Sequence, residues 1–424
     1  MRSTTFSILK ALAIILVVLA HAAAPTYLSR FAYMVGVPAF FVLSGFFFRW
    51  DNLERPSEFI VRRIKRLYIP FLKWGIVLLL LHNWFFQIGF LSEIHGNAEG
   101  GVTHPYGLIE SIQHLWSMAF NMSGYDPFLA GAFWFFRSLL LANIAFLLLL
   151  KTSRKFSYLK SPILQTTSVV ALAFLLALWQ AGMGLHITGV AQGGYRELMG
   201  IVLIGIGFLL RQLDDSPQTG FWKNTIVMFA VSLIVLLVLV FVYPVSMAAK
   251  PASMLSVLLL ALAGTASFVC LRATAQLIEK YSSKYSKHLQ FIGENTLSIL
   301  LFHLIAFKLI SMIKVSVYGL DWEMIGGHPV VQHEVGDYFW ILYAIVGVYI
   351  PLIPIAVWKV VNGEHKFNLL NPKDWLRIFV RIGVMTYRGF RAILRGLYNF
   401  IINLGKNIKF IVIKIWETTS PKEN

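Results

Sequence analysis

The sequence contains little charge and almost no cysteine. Charged residues make up 13% of its 424 residues, whereas soluble domains carry about 25%. Hydrophobic residues make up 57%, and the mean hydropathy is +0.69. A soluble domain cannot bury that much apolar surface in one core, so lipid must surround much of the chain. The single cysteine, Cys270, excludes an internal disulfide and a cysteine-based metal site.

Acidic residues are also scarce. Asp and Glu number 20 against 37 Lys and Arg, which gives a formal net charge of +17. In a soluble protein this excess would indicate nucleic-acid binding, but no basic stretch accompanies a recognisable nucleic-acid module. The excess instead fits cytoplasmic loops and contacts with anionic lipid head groups. We therefore expect membrane lipids among the partners, and no nucleic acid.

Long apolar runs recur along most of the chain. About ten of them are long enough to cross a bilayer. These runs cover residues 8–24, 31–48, 68–90, 129–150, 163–185, 196–211, 223–243, 252–275, 294–317 and 337–360. The sequence therefore predicts an all-α polytopic membrane protein with about ten transmembrane helices.

Basic and non-basic loops alternate between these runs. Segments 49–73, 151–160 and 280–287 are rich in Lys and Arg, whereas 82–136 and 315–338 contain neither. Because cytoplasmic loops hold the excess of Lys and Arg, the alternation predicts that both termini are cytoplasmic.

The longest predicted outside loop covers residues 91–128. It contains His95, His104 and His114, but their spacing is not that of a tight metal site. We therefore expect no metal there, and a polar surface loop that helps to bind an acceptor.

The chain changes character after residue 365. Residues 366–424 contain eleven Lys or Arg residues mixed with aromatic ones. This mixture is typical of amphipathic helices on the inner leaflet, and a partner-binding tail is the alternative. We divide the chain into a transmembrane domain, 1–365, and a basic cytoplasmic tail, 366–424.

Ionisable residues inside a span indicate function. In the first span Lys10 and His21 are eleven positions apart, which places them on one helix face about 16 Å apart. A cation at the inner mouth can bind an anion, and a deep neutral imidazole can accept a proton. A lysine that anchors the inner end, with a histidine near the outer interface, would give the same spacing.

Two later stretches add to this pattern. Gly45, in the second span, allows close approach of a neighbouring backbone. Arg62, Arg63 and Arg66 directly precede the third run, where they can bind phosphates or only fix the topology.

Together these stretches resemble the membrane-bound acyltransferase family 3, which includes sugar O-acetyltransferases of bacterial envelopes. The resemblance covers roughly residues 1–360. Five motifs occur in the family's order: Lys10 and His21 for Arg, ten residues and His; Phe40 to Gly45 for Phe-Phe-x-x-Ser-Gly; Arg62, Arg63, Arg66 and Pro70; Trp134-Phe135; and Gly293 to Ser298 with His303. Two positions depart from it. Lys10 replaces an arginine and lacks its bidentate fork, and Ser7 replaces a common acidic residue.

The resemblance implies an acyl-CoA-dependent O-acyltransferase of the bacterial inner membrane. The donor, acetyl-CoA in first place, would bind through Lys10, Arg62, Arg63 and Arg66. His21 would act as general base on a hydroxyl of a saccharide or lipid-linked sugar. A covalent acyl-enzyme step and a homo-oligomer stay open.

Two further intramembrane groups are candidates for catalysis. Arg137 and His303 can stabilise an oxyanion or position the acceptor. Snorkelling of Arg137 and an interhelical hydrogen bond of His303 are the alternatives. Lys308 and Lys314 are interpreted as snorkelling. The competing function for the whole chain is a transporter or flippase of a polar lipid or saccharide, although no inverted repeat is visible.

Overall fold

The computed structural model describes most of the chain. The described residues are 4–95, 104–124, 129–156, 158–188, 190–214, 224–249, 251, 253–333, 337–361 and isolated positions between 383 and 396. They form helices and no strand. The α-helices are α1 (Thr4–Ala20), α2 (Thr26–Phe46), α3 (Pro56–Arg63), α4 (Ile69–Gln87), α5 (Leu108–Asn121), α6 (Trp134–Ser153), α7 (Pro162–Met183), α8 (Tyr195–Asp214), α9 (Thr225–Val242), α10 (Met254–Tyr281), α11 (Ser283–Glu294), α12 (Thr296–Tyr318), α13 (Phe339–Tyr349) and α14 (Ile353–Val361).

The chain divides into two compact units. The first covers Met1–Leu352 and contains α1 to α13. The second covers Ile353–Asn424, of which the structure describes α14 and isolated positions. The basic tail predicted for residues 366–424 therefore lies almost entirely outside the described residues, and its place on the inner leaflet stays a prediction.

Every predicted apolar run coincides with a helix. Among the described residues, seven helices are long and apolar enough to cross a membrane: Thr26–Phe46, Gly131–Ser153, Pro162–Met183, Thr225–Val242, Met254–Tyr281, Thr296–Tyr318 and Phe339–Ala356. The prediction of a polytopic helical protein is confirmed. The count of about ten spans remains a prediction, because runs 8–24, 68–90 and 196–211 form helices that are shorter or less apolar than these seven. The cytoplasmic location of the termini also remains a prediction.

Helix α2 lies at the centre of the first unit, against α1, α8 and α10. Its contact with α8 is a backbone contact. A Cβ atom on Gly45 would lie 1.7 Å from the carbonyl oxygen of Ile204, and one on Gly207 would lie 2.0 Å from that of Val42. Glycine is therefore required on both helices, as the close approach predicted for Gly45 implies.

Helices α3 and α4 are joined without a loop. A π turn over Ile64–Tyr68 connects Arg63 directly to Ile69. Such turns often occur at functional sites because they change which side chains share a helix face. Here the turn follows Arg63 and contains Arg66, two of the predicted phosphate-binding residues.

The two lysines of α12 do not snorkel, so that prediction is wrong. Lys308 is buried, and its Nζ donates to the carbonyl oxygens of Ile325 and Gly327 at 2.8 and 2.9 Å. Lys314 is also buried, and its Nζ donates to the carbonyl oxygen of Val331 at 2.8 Å. An unpaired buried ammonium is costly, and these carbonyls satisfy it. The two lysines thereby fix the segment between α12 and α13.

The segment predicted as a polar outside loop contains a helix instead. Helix α5 exposes apolar side chains along one side, among them Ile109, Trp116 and Phe120. Met118 is the buried residue of α5, and it lies against Gly75 of α4. A Cβ atom added to Gly75 would be 2.8 Å from the Met118 sulfur, so α5 packs along α4. The hydrophobic side leaves less polar surface for an acceptor than the sequence indicated.

Candidate functional site

A cavity of about 340 Å³ lies inside the first unit. It is enclosed by α1, α2, α6, α12 and the turn between α3 and α4. Its walls are mostly apolar. The lining residues are Lys10, Ile14, Val17, Ala20, His21, Ala32, Tyr33, Val37, Phe40, Arg63, Arg66, Leu67, Ala132, Trp134, Phe135, Phe136, Leu139, Ser246, Ala248, Thr296, Leu297 and Leu300.

Lys10 and His21 both face this cavity. Lys10 lies in α1, and His21 is the first residue after that helix. Ile14 and Val17, one and two turns after Lys10, line the wall between them. At 1.5 Å per residue the separation is about 16 Å along the helix axis. The cavity therefore contains a cation and an imidazole, with an apolar passage between them.

Arg63 and Arg66 contribute two more cations to the cavity. Burial lowers the pKa of the Arg63 guanidinium to about 10, and the charges of Arg66 and then Arg62 act in the same direction. Arg63 therefore stays protonated at neutral pH, but it is short of counter-charge. A bound anion would relieve the repulsion among these guanidinium groups and replace part of the water that Arg63 has lost.

Arg62 lies outside the cavity. It lines an adjoining groove of about 690 Å³, whose wall also includes Arg63 and Arg66. Its guanidinium donates to Asn52 Oδ1 at 2.9 Å and lies 3.6 Å from a carboxylate oxygen of Glu58. The four predicted donor-binding residues are therefore not equivalent, because three line the cavity and Arg62 lines only the groove.

The imidazole of His21 is oriented by the backbone. Its Nδ1 lies 2.8 Å from the carbonyl oxygen of Val17, so Nδ1 carries the proton and donates it. In that tautomer Nε2 is unprotonated and can accept a proton. The ring also makes an edge contact with Tyr33, at a centroid distance of 5.8 Å. The geometry suits a general base at the end of the cavity remote from Lys10.

His303 lies directly beside His21. The two ring centroids are 5.3 Å apart, and His303 is fully buried in α12. Its Nδ1 donates to the carbonyl oxygens of Ile299 and Leu300 at 2.9 and 3.1 Å, and Nε2 has no hydrogen-bond partner among the described residues. The interhelical hydrogen bond that we considered for His303 is absent from the described structure. His303 does not line the cavity, so it contacts the His21 ring rather than the cavity itself.

Arg137 neither snorkels nor lines the cavity. It is buried in α6, and its Nε lies 3.4 Å from Glu197 Oε1, which also accepts a hydrogen bond of 3.0 Å from Ser138. This network joins α6 to α8. The direct catalytic contact predicted for Arg137 is not present in this geometry, and we assign the residue to positioning α6, whose Phe136 and Leu139 line the cavity.

The acidic partner sought for His21 is not among the described candidates. Glu197 pairs with Arg137, and Asp337 pairs with Lys314. Asp126, the third candidate, lies outside the described residues. The backbone carbonyl of Val17 orients the ring instead.

Two residues near the site, Tyr33 and Arg196, were not singled out from the sequence. Tyr33 lines the cavity and contacts His21. Arg196 stacks over the Trp134 ring at 4.1 Å, and its guanidinium donates to the carbonyl oxygens of Met247 and Ala248. A charged residue at the start of an apolar run was the available signal for Arg196. Tyr33 offered only an aromatic hydroxyl inside a span.

Comparisons with known proteins give one match. The acyltransferase family 3 model, described as an acyltransferase domain, matches residues 5–358. This range includes the whole cavity. A search of the curated proteins and a search of the solved structures each found no match.

Proposed function

This chain belongs to acyltransferase family 3, and from that premise we propose that it transfers an acyl group from acyl-CoA to a saccharide hydroxyl. Acetyl is the acyl group expected first, and the acceptor is an envelope saccharide or a lipid-linked sugar in the bacterial inner membrane. The observation that carries the proposal is that Lys10, Arg63, Arg66 and His21 line the same cavity, whose other walls are mostly apolar.

The cations suit the phosphates of the donor. Arginine binds phosphate through two parallel N–H donors, and lysine supplies a point charge. Arg63 and Arg66 line both the cavity and the adjoining groove, so phosphates bound there would lie at the entrance. The nucleotide would occupy the groove beside Arg62, and the pantetheine arm would extend through the cavity toward His21.

The reaction is one acyl transfer with His21 as base. Nε2 of His21 accepts the proton of the acceptor hydroxyl, while the oxygen of that hydroxyl forms a bond to the thioester carbonyl carbon. The tetrahedral intermediate then collapses, the carbon–sulfur bond breaks, and the imidazolium returns the proton to the departing thiolate. The products are the acyl ester and free CoA. Apolar walls exclude water, which would otherwise hydrolyse the thioester.

The test is a His21→Ala variant assayed for transfer of labelled acyl groups from acyl-CoA to envelope glycans. We expect turnover to fall by at least about 10²-fold, the usual contribution of a general base. The folded state is checked by thermal unfolding in detergent. His288→Ala serves as control, because this exposed histidine bonds only to Tyr349 Oη among the described residues.

Full activity of a folded His21→Ala protein would overturn the assignment of the base. Movement of a saccharide or lipid across a proteoliposome membrane without acyl-CoA, and without thioester consumption in its presence, would favour the transporter instead.

A further inference from the structure

A second pocket, of about 570 Å³, adjoins the cavity at its His21 end. Tyr33, Ser246 and Ala248 line both spaces. The second pocket, which we call the acceptor pocket, is further lined by Arg30, Tyr195, Val242, Tyr243, Pro244, Val245, Ala249, Pro251 and Ser256. A molecule in this pocket would lie next to the base without entering the cationic end of the cavity.

The wall between the two spaces is held in place by Arg196. Its guanidinium donates to the carbonyl oxygens of Met247 and Ala248 and stacks on Trp134, which lines the cavity. Ser246 Oγ accepts a hydrogen bond of 3.0 Å from the Ala248 amide. The segment after α9 is thus fixed by side chains of α6 and α8, so the acceptor pocket is a formed site.

The residues that line the acceptor pocket suit a saccharide that carries an anionic group. Tyr33 and Tyr243 supply aromatic faces, against which saccharide rings pack through their C–H groups. Arg30 supplies a cation, and none of the described lining residues is acidic. Arg30 has no carboxylate partner among the described residues, although its guanidinium lies 5.7 Å from the Tyr27 ring. An arginine in this state favours a phosphate or a carboxylate.

One edge of the acceptor pocket is apolar and exposed. Val242, which lines the pocket, is 74% exposed, and its neighbour Phe241 is 61% exposed. The Phe241 ring packs on Tyr27 at a centroid distance of 4.8 Å. Val242 ends α9, the most hydrophobic of the candidate spans. An acyl or prenyl chain can therefore run along this edge while the head group occupies the pocket.

We propose that the acceptor is a lipid-linked saccharide with a phosphate, and that Arg30 binds this phosphate beside the exposed edge at Val242. This inference rests on the proposed function for its meaning as an acceptor site. The saccharide would extend past Tyr33, where one of its hydroxyls reaches His21. Arg30 is a binding residue in this scheme and makes no contact with the reacting atoms.

The test is a binding measurement that needs no acyl-CoA. The purified full-length protein in detergent is titrated with a polyprenyl phosphate, the corresponding polyprenol and inorganic phosphate, and bound ligand is counted by native mass spectrometry. We expect saturable binding of the polyprenyl phosphate. The polyprenol should bind at least about tenfold more weakly because it lacks the charge-assisted contact, and inorganic phosphate at least about tenfold more weakly because it lacks the apolar chain.

The variants assign the effect to Arg30. Arg30→Gln is expected to weaken polyprenyl phosphate binding about tenfold, and Arg30→Lys should restore part of it. Arg154→Gln is the matched control, because Arg154 follows α6 and pairs with Glu54. Equal binding of phosphate and alcohol, or unchanged binding to Arg30→Gln, would overturn the role of Arg30. Inorganic phosphate binding as tightly as polyprenyl phosphate would overturn the lipid part.

Failure of this inference is separate from failure of the proposed function. If Arg30→Gln binds normally while His21→Ala is inactive, the pocket assignment fails and the acyl transfer stands. If polyprenyl phosphate binds through Arg30 but thioester is never consumed, the lipid site stands and the acyltransferase mechanism fails.

Discussion

Two neighbouring arginines at the end of α3, Arg62 and Arg63, have different surroundings. Arg62 and Arg63 are adjacent in sequence, but successive helical residues point about 100° apart. Arg63 consequently faces the cavity, whereas Arg62 turns to Asn52 and Glu58. Arg62 already has a partial counter-charge, and Arg63 is half-buried among other cations. The free energy available from binding a phosphate should be larger at Arg63.

The first prediction separates these two arginines. In Arg63→Gln we expect the KM for acyl-CoA to rise about tenfold, because a charge-assisted contact with phosphate is lost. The KM for the acceptor should stay unchanged. Steady-state kinetics with varied acyl-CoA at saturating acceptor give the measurement.

Arg62→Gln is the matched comparison for this prediction. It removes the same charge one residue away, and we expect a smaller increase in the KM for acyl-CoA. An equal or larger effect of Arg62→Gln would contradict the separation, and an unchanged KM in both variants would remove the phosphate-binding role of this segment.

The departure at Lys10 also has a physical meaning at this scale. Lysine keeps the positive charge of the family's arginine but binds as a point charge without a planar fork. Lys10 lines the cavity together with Arg63 and Arg66. In our proposal the two arginines supply the bidentate contacts, so the loss of the fork at position 10 need not remove phosphate binding.

At the scale of helices, small residues set how closely α1 and α2 approach their neighbours. A Cβ on Gly293 of α11 would lie 1.7 Å from the carbonyl oxygen of Ser7 in α1. Gly45 has the same relation to Ile204 in α8. Because α1 carries Lys10 and α2 carries Tyr33, these backbone contacts help to position two of the helices that line the cavity.

The second prediction tests the α2–α8 contact. Gly45→Ala must separate two backbones, because neither can move aside as a flexible side chain does. We expect a loss of unfolding free energy of about 3 kcal/mol, at the upper end for overpacking. Thermal unfolding in detergent gives the measurement.

Gly107→Ala is the control for that substitution. A Cβ there meets no atom within 4 Å, and Gly107 adopts a φ of −73°, which any residue can adopt. Its stability should stay near that of the unsubstituted protein. A Gly45→Ala protein as stable as Gly107→Ala would show that the interface can open without cost.

Helix α12 connects the site to the segment before α13. His303 touches His21, and one turn later Lys308 binds the backbone at Ile325 and Gly327. In the same segment the His328 ring lies against Gly131, which comes just before α6. A Cβ atom added to Gly131 would be 3.6 Å from that ring. The segment therefore contacts two of the helices that line the cavity.

For the whole molecule, the charge pattern predicts which loops face the cytoplasm. The segment 82–136 lacks Lys and Arg, whereas 280–287 contains three lysines. Because basic loops are retained inside, we expect topology reporters fused after Gly100 and after Ser283 to report opposite faces of the membrane. Alkaline phosphatase and green fluorescent protein fusions give the measurement. Reporters on one face would contradict the predicted alternation.

The bilayer explains why the sequence predicted so much of the fold. In lipid every backbone hydrogen bond must be satisfied within the segment, so a long apolar run has to form a helix. Each predicted run accordingly coincides with a helix. Two predictions failed. Helix α5 lies in a segment predicted to be a polar loop, and Lys308 and Lys314, predicted to reach the membrane interface, are buried. Both depend on what neighbouring helices offer, which no local pattern encodes.

The sequence by itself determined the helical membrane class, the family motifs and the shared face of Lys10 and His21, because composition and helical period are local properties. Only the tertiary structure decided that Arg63 and Arg66 join them while Arg62 and Arg137 do not, and that Tyr33 and Arg196 complete the site. Those outcomes depend on how each helix is rotated and how closely it packs, and rotation is fixed by contacts between residues far apart in the chain.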